Sequence, residues 1–88
     1  MFEEYEQYLD PKYIQAAMRH ATYEQFEDGS YCGSIPGFRG VLANEPTLEA
    51  TRQELQSVLE AWLLIGIAEH EELPEVDGVR LTYPKANA

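Results

Sequence analysis

The sequence has few basic residues and a single cysteine. Six lysines and arginines stand against sixteen acidic residues, which gives a formal net charge of −10. This balance repels phosphate backbones, so we expect no direct nucleic-acid binding by this chain. Cys32 has no partner for an internal disulfide, which fits a reducing cytoplasm. An acidic surface serves either solubility or recognition of a basic protein, and composition leaves both open.

The chain also lacks a segment suited to membrane insertion or export. Its longest stretch without a polar side chain, residues 61–68, falls far short of the roughly 20 residues of a transmembrane helix. The stretch 1–6 has neither a basic region nor an apolar core, so it is not a signal peptide. Hydrophobic residues make up 44% of the chain, which argues against disorder. We expect one domain at residues 11–83, with tails at 1–10 and 84–88.

No nucleophile stands beside a base. Cys32 is the candidate, but its surroundings are mainly acidic, whereas a reactive thiol needs positive charge nearby. The two histidines are His20 and His70, and His70 lies in the acidic run 69–72 without the ligand spacing of a zinc site. The glycines in residues 33–40 precede a strand, so they do not form a phosphate-binding loop. We expect no enzyme activity, no metal and no cofactor.

One set of carboxylates leaves a metal-dependent alternative open. Glu24, Glu27 and Asp28 lie close together in the sequence, and paired carboxylates can hold magnesium for phosphoryl chemistry. In a chain with sixteen acidic residues such a set arises easily by chance. Asp28 also has a structural use in a turn. A cryptic metal-dependent nuclease is therefore the less favoured alternative.

The strongest pattern is a long helix over residues 47–69, with Thr47 suited to cap its start. Its apolar stripe consists of Leu48, Leu55, Leu59, Trp62 and Ile65. Across residues 61–68 the stripe widens around the helix, more than one sheet can cover. Two explanations stay open, burial in the chain's own core or contact with a second copy or a partner. The second explanation predicts an oligomer interface at Trp62, Leu63, Leu64 and Ile67.

Other segments predict a short helix and four strands. Asp10-Pro11 is suited to begin a helix, and the apolar spacing that follows ends near His20. The strands are expected at residues 22–27, 30–35, 40–44 and 79–83. A long helix between the third and fourth strands implies a crossover. The fold class is therefore α+β, a two-layer domain with a short N-terminal helix and one long helix packed on the sheet.

The turn of the first hairpin predicts which side chains share a face. Asp28-Gly29 is a strong signal for a two-residue loop, which pairs Phe26 with Tyr31. Phe26, Tyr31 and Ile35 are then expected to face the long helix. The opposite face is open or covered by something else. It carries the candidate partner-binding residues Tyr23, Gln25, Cys32 and Ser34.

The order of these motifs resembles the HicB-like antitoxin family. The resemblance begins in residues 27–41, with the Asp28-Gly29 hairpin, an aromatic strand and the turn Pro36–Gly40. It continues at Thr47-Leu48-Glu49-Ala50 into the long helix, and in all covers roughly residues 13–83. It implies a partial ribonuclease-H-like βββαβ fold without the catalytic acids of that enzyme.

The resemblance also implies a function in protein binding. Members of the family mask a cognate toxin, HicA, a small basic ribonuclease with a double-stranded-RNA-binding-like fold, and they commonly form dimers or tetramers. An acidic chain agrees with a basic partner. Many members add a C-terminal helix-turn-helix or ribbon-helix-helix domain. Since the sequence reaches only Ala88, we expect a short stand-alone type without operator binding. The alternative is an orphan homo-oligomer of the same fold without a toxin.

Overall fold

A computed structural model describes residues 3–83 of the chain. The elements are a 3-10 helix at Glu3–Tyr8, α1 at Pro11–Arg19, β1 at Thr22–Gln25, β2 at Tyr31–Ser34, β3 at Leu42–Glu45 and α2 at Leu48–Ala68. The strands form one antiparallel sheet in the order β1-β2-β3. Because α2 packs along β2 and β3, one face of the sheet is covered by helix. This confirms the predicted α+β class with one long helix on the sheet.

Both helices begin where the sequence indicates. The Asp10 side chain accepts a hydrogen bond from the backbone N–H of Lys12, and Pro11 occupies the first helical position. The Thr47 hydroxyl accepts a hydrogen bond from the backbone N–H of Ala50 at 3.1 Å. Each side chain satisfies one of the amide groups that a helix start leaves unpaired.

The C-terminus of α2 is closed by a left-handed residue, His70, at φ 58°. The N–H of His70 donates to the Ile67 carbonyl and that of Glu71 to the Gly66 carbonyl, the two bonds of a Schellman motif. Leu73 then packs over Gly66, where an added Cβ would lie 2.7 Å from Leu73 Cδ2. The glycine therefore lets the chain fold back closely on the helix.

The core lies between the sheet, α1 and α2. Leu55, Leu59 and Leu63 along α2 are completely buried. Thr51 is buried with them, and its hydroxyl donates to the Thr47 carbonyl at 2.7 Å. The predicted stripe is shifted, because Leu48 and Ile65 are 47% and 46% exposed. The other buried apolar residues are Tyr13, Ile14, Ala16, Ala17, Ile35, Phe38, Val41, Ala43, Ile67 and Val76.

The first hairpin has a three-residue loop, so the predicted register of β1 is wrong by one residue. Gln25 pairs with Tyr31 rather than with Cys32. The N–H of Gly29 donates to the Phe26 carbonyl, and Gly29 has the positive φ, 89°, that such a loop requires at its last residue. Because strand side chains alternate between faces, this shift turns β1 over relative to β2.

The predicted open sheet face is therefore corrected for β1. Cys32 and Ser34 lie on the face opposite α2, as predicted. Tyr23 and Gln25 lie on the helix side, where the Tyr23 ring packs against the core. Phe26, which the two-residue loop would place against α2, is 44% exposed.

The predicted last strand, residues 79–83, does not form. In the described part of the chain the sheet has three strands, and the pairing after α2 is an isolated bridge between Val76 and Val79. Asp77 and Gly78 between them have φ values of 51° and 78°. Positive values at both positions are what a type I′ turn requires. Val79, the first residue of the predicted strand, closes this tight turn by pairing with Val76. The segment instead packs four side chains on the core, those of Leu73, Val76, Val79 and Leu81.

The predicted N-terminal tail contributes to the structure as well. Its 3-10 helix contacts α2, and Leu9 packs against the core. The predicted tail at 84–88 lies outside the described residues. Among the described helices, none is long and apolar enough to cross a bilayer.

Candidate protein-interaction surfaces

The face of the sheet opposite α2 is the first candidate surface. Strand alternation gives this outer sheet face two side chains from each strand. They are Thr22, Glu24, Cys32, Ser34, Leu42 and Asn44. Leu42 is 58% exposed and supplies the large apolar side chain. β1 and β3 form the two edges of the sheet, where another strand can pair.

Cys32 lies in the middle strand of the outer sheet face. Its cross-strand neighbours are Glu24 on β1 and Asn44 on β3. Glu24 thus takes the position predicted for Gln25, and neither histidine lies across a strand from the thiol. The geometry gives Cys32 no imidazole base among its strand neighbours.

Two of the three carboxylates of the metal-dependent alternative, Glu24 and Asp28, have separate surroundings. Glu24 lies on the outer sheet face, whereas Asp28 lies in the hairpin loop. There the Asp28 Oδ1 accepts hydrogen bonds from the Ser30 hydroxyl at 2.7 Å and the Ser30 N–H at 2.9 Å. The bond from the hydroxyl, followed by the bond from the N–H, lowers the pKa of the Asp28 carboxyl. Across residues 3–83, no three His, Cys, Asp or Glu side chains are grouped as metal ligands.

A second candidate surface is a groove of about 530 Å³ between the N-terminal 3-10 helix, α1 and α2. This helical groove is lined by three aliphatic side chains, a proline, two carboxylates and two amides. They are Leu9, Ile14, Leu64, Pro11, Glu6, Glu60, Gln15 and Gln56. Gln56 Nε2 donates to Glu60 Oε2 at 3.0 Å, which holds that carboxylate in place. The groove is apolar in part and negatively charged.

The predicted oligomer interface on α2 is divided between core and surface. Leu63 is completely buried and Ile67 is 1% exposed, so both belong to the chain's own core rather than to an interface. Trp62 is partly buried and packs edge-on against Phe38, with ring centroids 5.3 Å apart. Leu64 is partly exposed and lines the helical groove. Of the four residues, only Trp62 and Leu64 keep surface for contact with another molecule.

Four large apolar residues that are exposed were not among the predicted site residues, namely Phe26, Leu42, Leu48 and Ile65. The exposure of two of them, Leu42 and Ile65, has a simple geometric cause. Leu42 follows from strand alternation, because its neighbours Val41 and Ala43 are both buried. Ile65 stands two positions from Leu63, which places it on the opposite side of the helix. The exposure of Leu42 and Ile65 therefore follows once the buried faces of β3 and α2 are known.

An ion-pair cluster joins the end of α1 to the turn at Asp77. His20 Nε2 lies 2.8 Å from Asp77 Oδ1, and Arg19 Nη2 lies 3.6 Å from Asp77 Oδ2. The hydrogen bond with His20, followed by the charges of His20 and Arg19, lowers the pKa of the Asp77 carboxyl. The cluster borders a cleft of about 300 Å³ next to Phe38 and Val76. No sequence motif indicated this contact between residues far apart in the chain.

Negative charge is in large excess over the whole surface. All sixteen acidic residues lie in the described part of the chain, and all are exposed except Glu45 and Glu60, which are partly buried. Three arginines form ion pairs, with Glu49, Glu75 and Asp77. The remaining carboxylates outnumber the remaining basic residues several times over. A basic molecule is therefore the complementary partner for this surface.

Comparison with known proteins agrees with this architecture. A family model described as UPF0150-like matches residues 12–74, which run from α1 through α2 and six residues beyond it. The crystal structure of TTHA0281 from Thermus thermophilus is similar, with a TM-score of 0.77 and 36% sequence identity. That similarity covers 83% of this chain and 91% of that chain. No curated protein matches.

Proposed function

This chain belongs to the UPF0150-like family, a HicB-like family of small proteins, and from this premise we propose that it is a non-enzymatic antitoxin. Its partner is a small basic ribonuclease toxin of the HicA type, which it masks by binding. The finer assignment within the family follows the motif order of residues 27–41 and the helix start Thr47–Ala50. In this proposal the chain binds protein and does not contact nucleic acid.

The observation that supports the proposal is the exposed negative charge. Fourteen of the sixteen acidic side chains are exposed on a chain of formal net charge −10. A ribonuclease holds its RNA substrate on a basic surface, because phosphates carry the negative charge. An acidic protein competes for that surface, and complementary charge also speeds the encounter.

The test begins with a tagged copy of this chain recovered from its native cells and identified with its partners by mass spectrometry. We expect one small basic protein at near-stoichiometric yield. That protein, purified separately, should cleave RNA, and adding this chain back should stop the cleavage at a fixed molar ratio. Inhibition should weaken at high salt, because exposed charges are then screened. Recovery of only this chain's own copies would contradict the proposal.

A second candidate function is assembly into a homo-oligomer without a toxin. The outer sheet face supports it, since Leu42 is 58% exposed there and β1 and β3 are the edge strands of the sheet. Light scattering after size exclusion should then show a dimer or tetramer that Leu42→Glu reduces to a monomer. Ile65→Glu, an equal change of charge on α2, serves as the control. A monomeric wild-type chain would remove this candidate.

A further inference from the structure

We propose that the helical groove is the docking site for a basic amphipathic segment of the partner protein. The inference rests on the proposed function in that the partner is the basic toxin. It adds which surface of this chain is used and what chemistry the bound segment presents. The segment carries an aliphatic side chain that enters the groove and lysines or arginines on either side of it.

The shape of the groove favours a side chain projecting from a protein segment. Leu9 precedes α1, Ile14 lies in α1 and Leu64 lies in α2, and the three side chains line one opening. Its volume of about 530 Å³ lies within the range of small-molecule pockets, so the groove has room for a side chain. Ile14 is buried, whereas Leu9 and Leu64 are partly exposed. An aliphatic group that enters the groove therefore removes more apolar surface from water.

The charge of the groove determines which segment fits. Glu6 and Glu60 contribute carboxylates, and the lining residues include no lysine or arginine. Glu60 is partly buried, and Gln56 holds it by a 3.0 Å hydrogen bond. A carboxylate with one such bond still has lone pairs for a lysine or arginine. Because the side chain is already positioned, little rotational freedom is lost when a cation binds.

A second copy of this chain is the poorer occupant. Each copy has a formal net charge of −10, so two acidic surfaces would approach against their mutual repulsion. Three of the basic residues, Arg19, Arg52 and Arg80, already form ion pairs within the chain. A basic partner meets no such repulsion. The groove therefore fits a basic protein better than it fits its own copy.

A defined peptide probe tests this site even before the toxin is identified. The probe is an amidated peptide of about 14 leucine and lysine residues patterned as an amphipathic helix. Two matched peptides replace all lysines by glutamate or all leucines by serine. In amide NMR spectra of the full chain, only the leucine–lysine peptide should shift the signals of groove residues such as Leu9, Gln15 and Leu64.

Charge-neutral variants make the test specific to the groove. We expect Glu6→Gln/Glu60→Gln to weaken binding of the leucine–lysine peptide about fivefold to tenfold, since two ion pairs are lost. Glu71→Gln/Glu72→Gln removes the same charge outside the groove and should change the affinity less than about twofold. Thermal unfolding of both variants checks that the fold is kept.

Several results would overturn the docking site. Equal weakening by the two double variants, equal binding of the serine–lysine peptide, or shifts confined to the outer sheet face would each do so. Dilution-dependent shifts at groove residues without peptide would assign the groove to a second copy.

Failure of the docking site and failure of the antitoxin function are distinguishable. A recovered toxin that binds Glu6→Gln/Glu60→Gln as tightly as the wild type removes the docking site and leaves the antitoxin function. Peptide binding in the groove without any toxin in the native cells supports the site and removes the antitoxin function.

Discussion

The two halves of α2 are buried in different ways. Buried residues are Thr51, Leu55 and Leu59 in the first half, and Leu63, Gly66 and Ile67 in the second. The difference lies in the partly buried apolar residues. The first half adds Ala50 and Val58, whereas the second adds Trp62, Leu64 and Ala68, so a wider arc of the second half is covered. The wider arc exists because Leu73 and the segment after it fold back over Gly66. The apolar side chains of residues 61–68 that the sheet does not cover are thus covered in part by the chain's own C-terminal segment. Ile65 stays 46% exposed.

The largest expected effects come from replacing one buried leucine in each half of α2 by alanine. Leu55 and Leu63 are both completely buried, so Leu55→Ala and Leu63→Ala should each lower the free energy of unfolding by about 2–5 kcal/mol. Ile65→Ala, on the exposed side, should change it by no more than about 0.5 kcal/mol. Urea denaturation measures all three. If Leu63→Ala behaves like Ile65→Ala, the second half of α2 is not packed in the chain's own core.

Replacing two glycines by alanine compares how tightly each half of α2 is packed. A Cβ on Gly33 would lie 2.9 Å from Tyr23 Cε1 and 3.3 Å from Thr51 Cγ2, beneath the first half of α2. Because a packed ring must move, Gly33→Ala should cost about 1–3 kcal/mol. In the second half, a Cβ on Gly66 meets only the flexible end of Leu73.

The Gly66→Ala variant should therefore be close to neutral. Alanine gains about 1 kcal/mol of helix propensity over glycine, which offsets the displacement of the Leu73 side chain. The same urea denaturation compares both alanine variants. A larger loss for Gly66→Ala than for Gly33→Ala would mean that the C-terminal segment is held more rigidly than the sheet contact.

Tyr13 of α1 tests how the C-terminal segment is held on the core. Its hydroxyl donates to the Pro74 carbonyl, and burial raises its pKa to about 12. A raised pKa means that folding favours the neutral phenol. The resulting stability is complete below the unfolded value of about 10 and is lost as the pH rises through about 12.

Tyr13→Phe should remove this alkaline loss while costing about 1–2 kcal/mol at neutral pH, since the Pro74 carbonyl loses its donor. Thermal unfolding from neutral pH to about pH 11.5 shows both effects. Tyr83→Phe, with its hydroxyl bonded to the Glu71 carbonyl near the surface, is the matched control. An alkaline loss of the same size in Tyr13→Phe and in the wild type would exclude this role.

The smallest expected effect concerns the ion-pair cluster at Asp77. Folding lowers the pKa of this carboxyl, chiefly through the hydrogen bond with His20. Its contribution is therefore present above the unfolded value of about 3.9 and is lost as the pH falls through the lower folded value. Asp77→Asn should flatten the acid side of the stability profile slightly. Identical profiles from about pH 2 to about pH 6 for Asp77→Asn and the wild type would show that the cluster does not contribute.

The dipeptide Asp-Gly occurs twice and shows how far local signals reach. At Asp28-Gly29 the sequence predicts a two-residue loop, but the structure has three residues with Glu27 included. At Asp77-Gly78 the two-residue loop does form. Both loops need a left-handed glycine, so the dipeptide alone does not choose between them. At the first hairpin the three-residue loop places Tyr23 on the helix side of the sheet, where it packs on the core. That contact joins distant parts of the chain, so the dipeptide does not report it.

The helix starts and much of the second strand were predictable because their causes are local. Asp10 and Thr47 cap the helices as expected, and Tyr31 and Ile35 lie on the helix side of the sheet. The candidate surfaces were less predictable. The helical groove depends on the approach of three elements, and Glu6 falls in a segment expected to be a tail. The periodicity of apolar residues within one element does not indicate which other elements will pack beside it.

The aromatic contacts of the core give the protein an internal optical probe. Trp62 is the only tryptophan of the chain, and its ring meets Phe38 edge-on at 5.3 Å. Phe38 in turn meets Tyr13 of α1 at 6.4 Å. One indole therefore stands where α2, the loop after β2 and α1 come together. Its fluorescence should report whether α1 is docked without any added label.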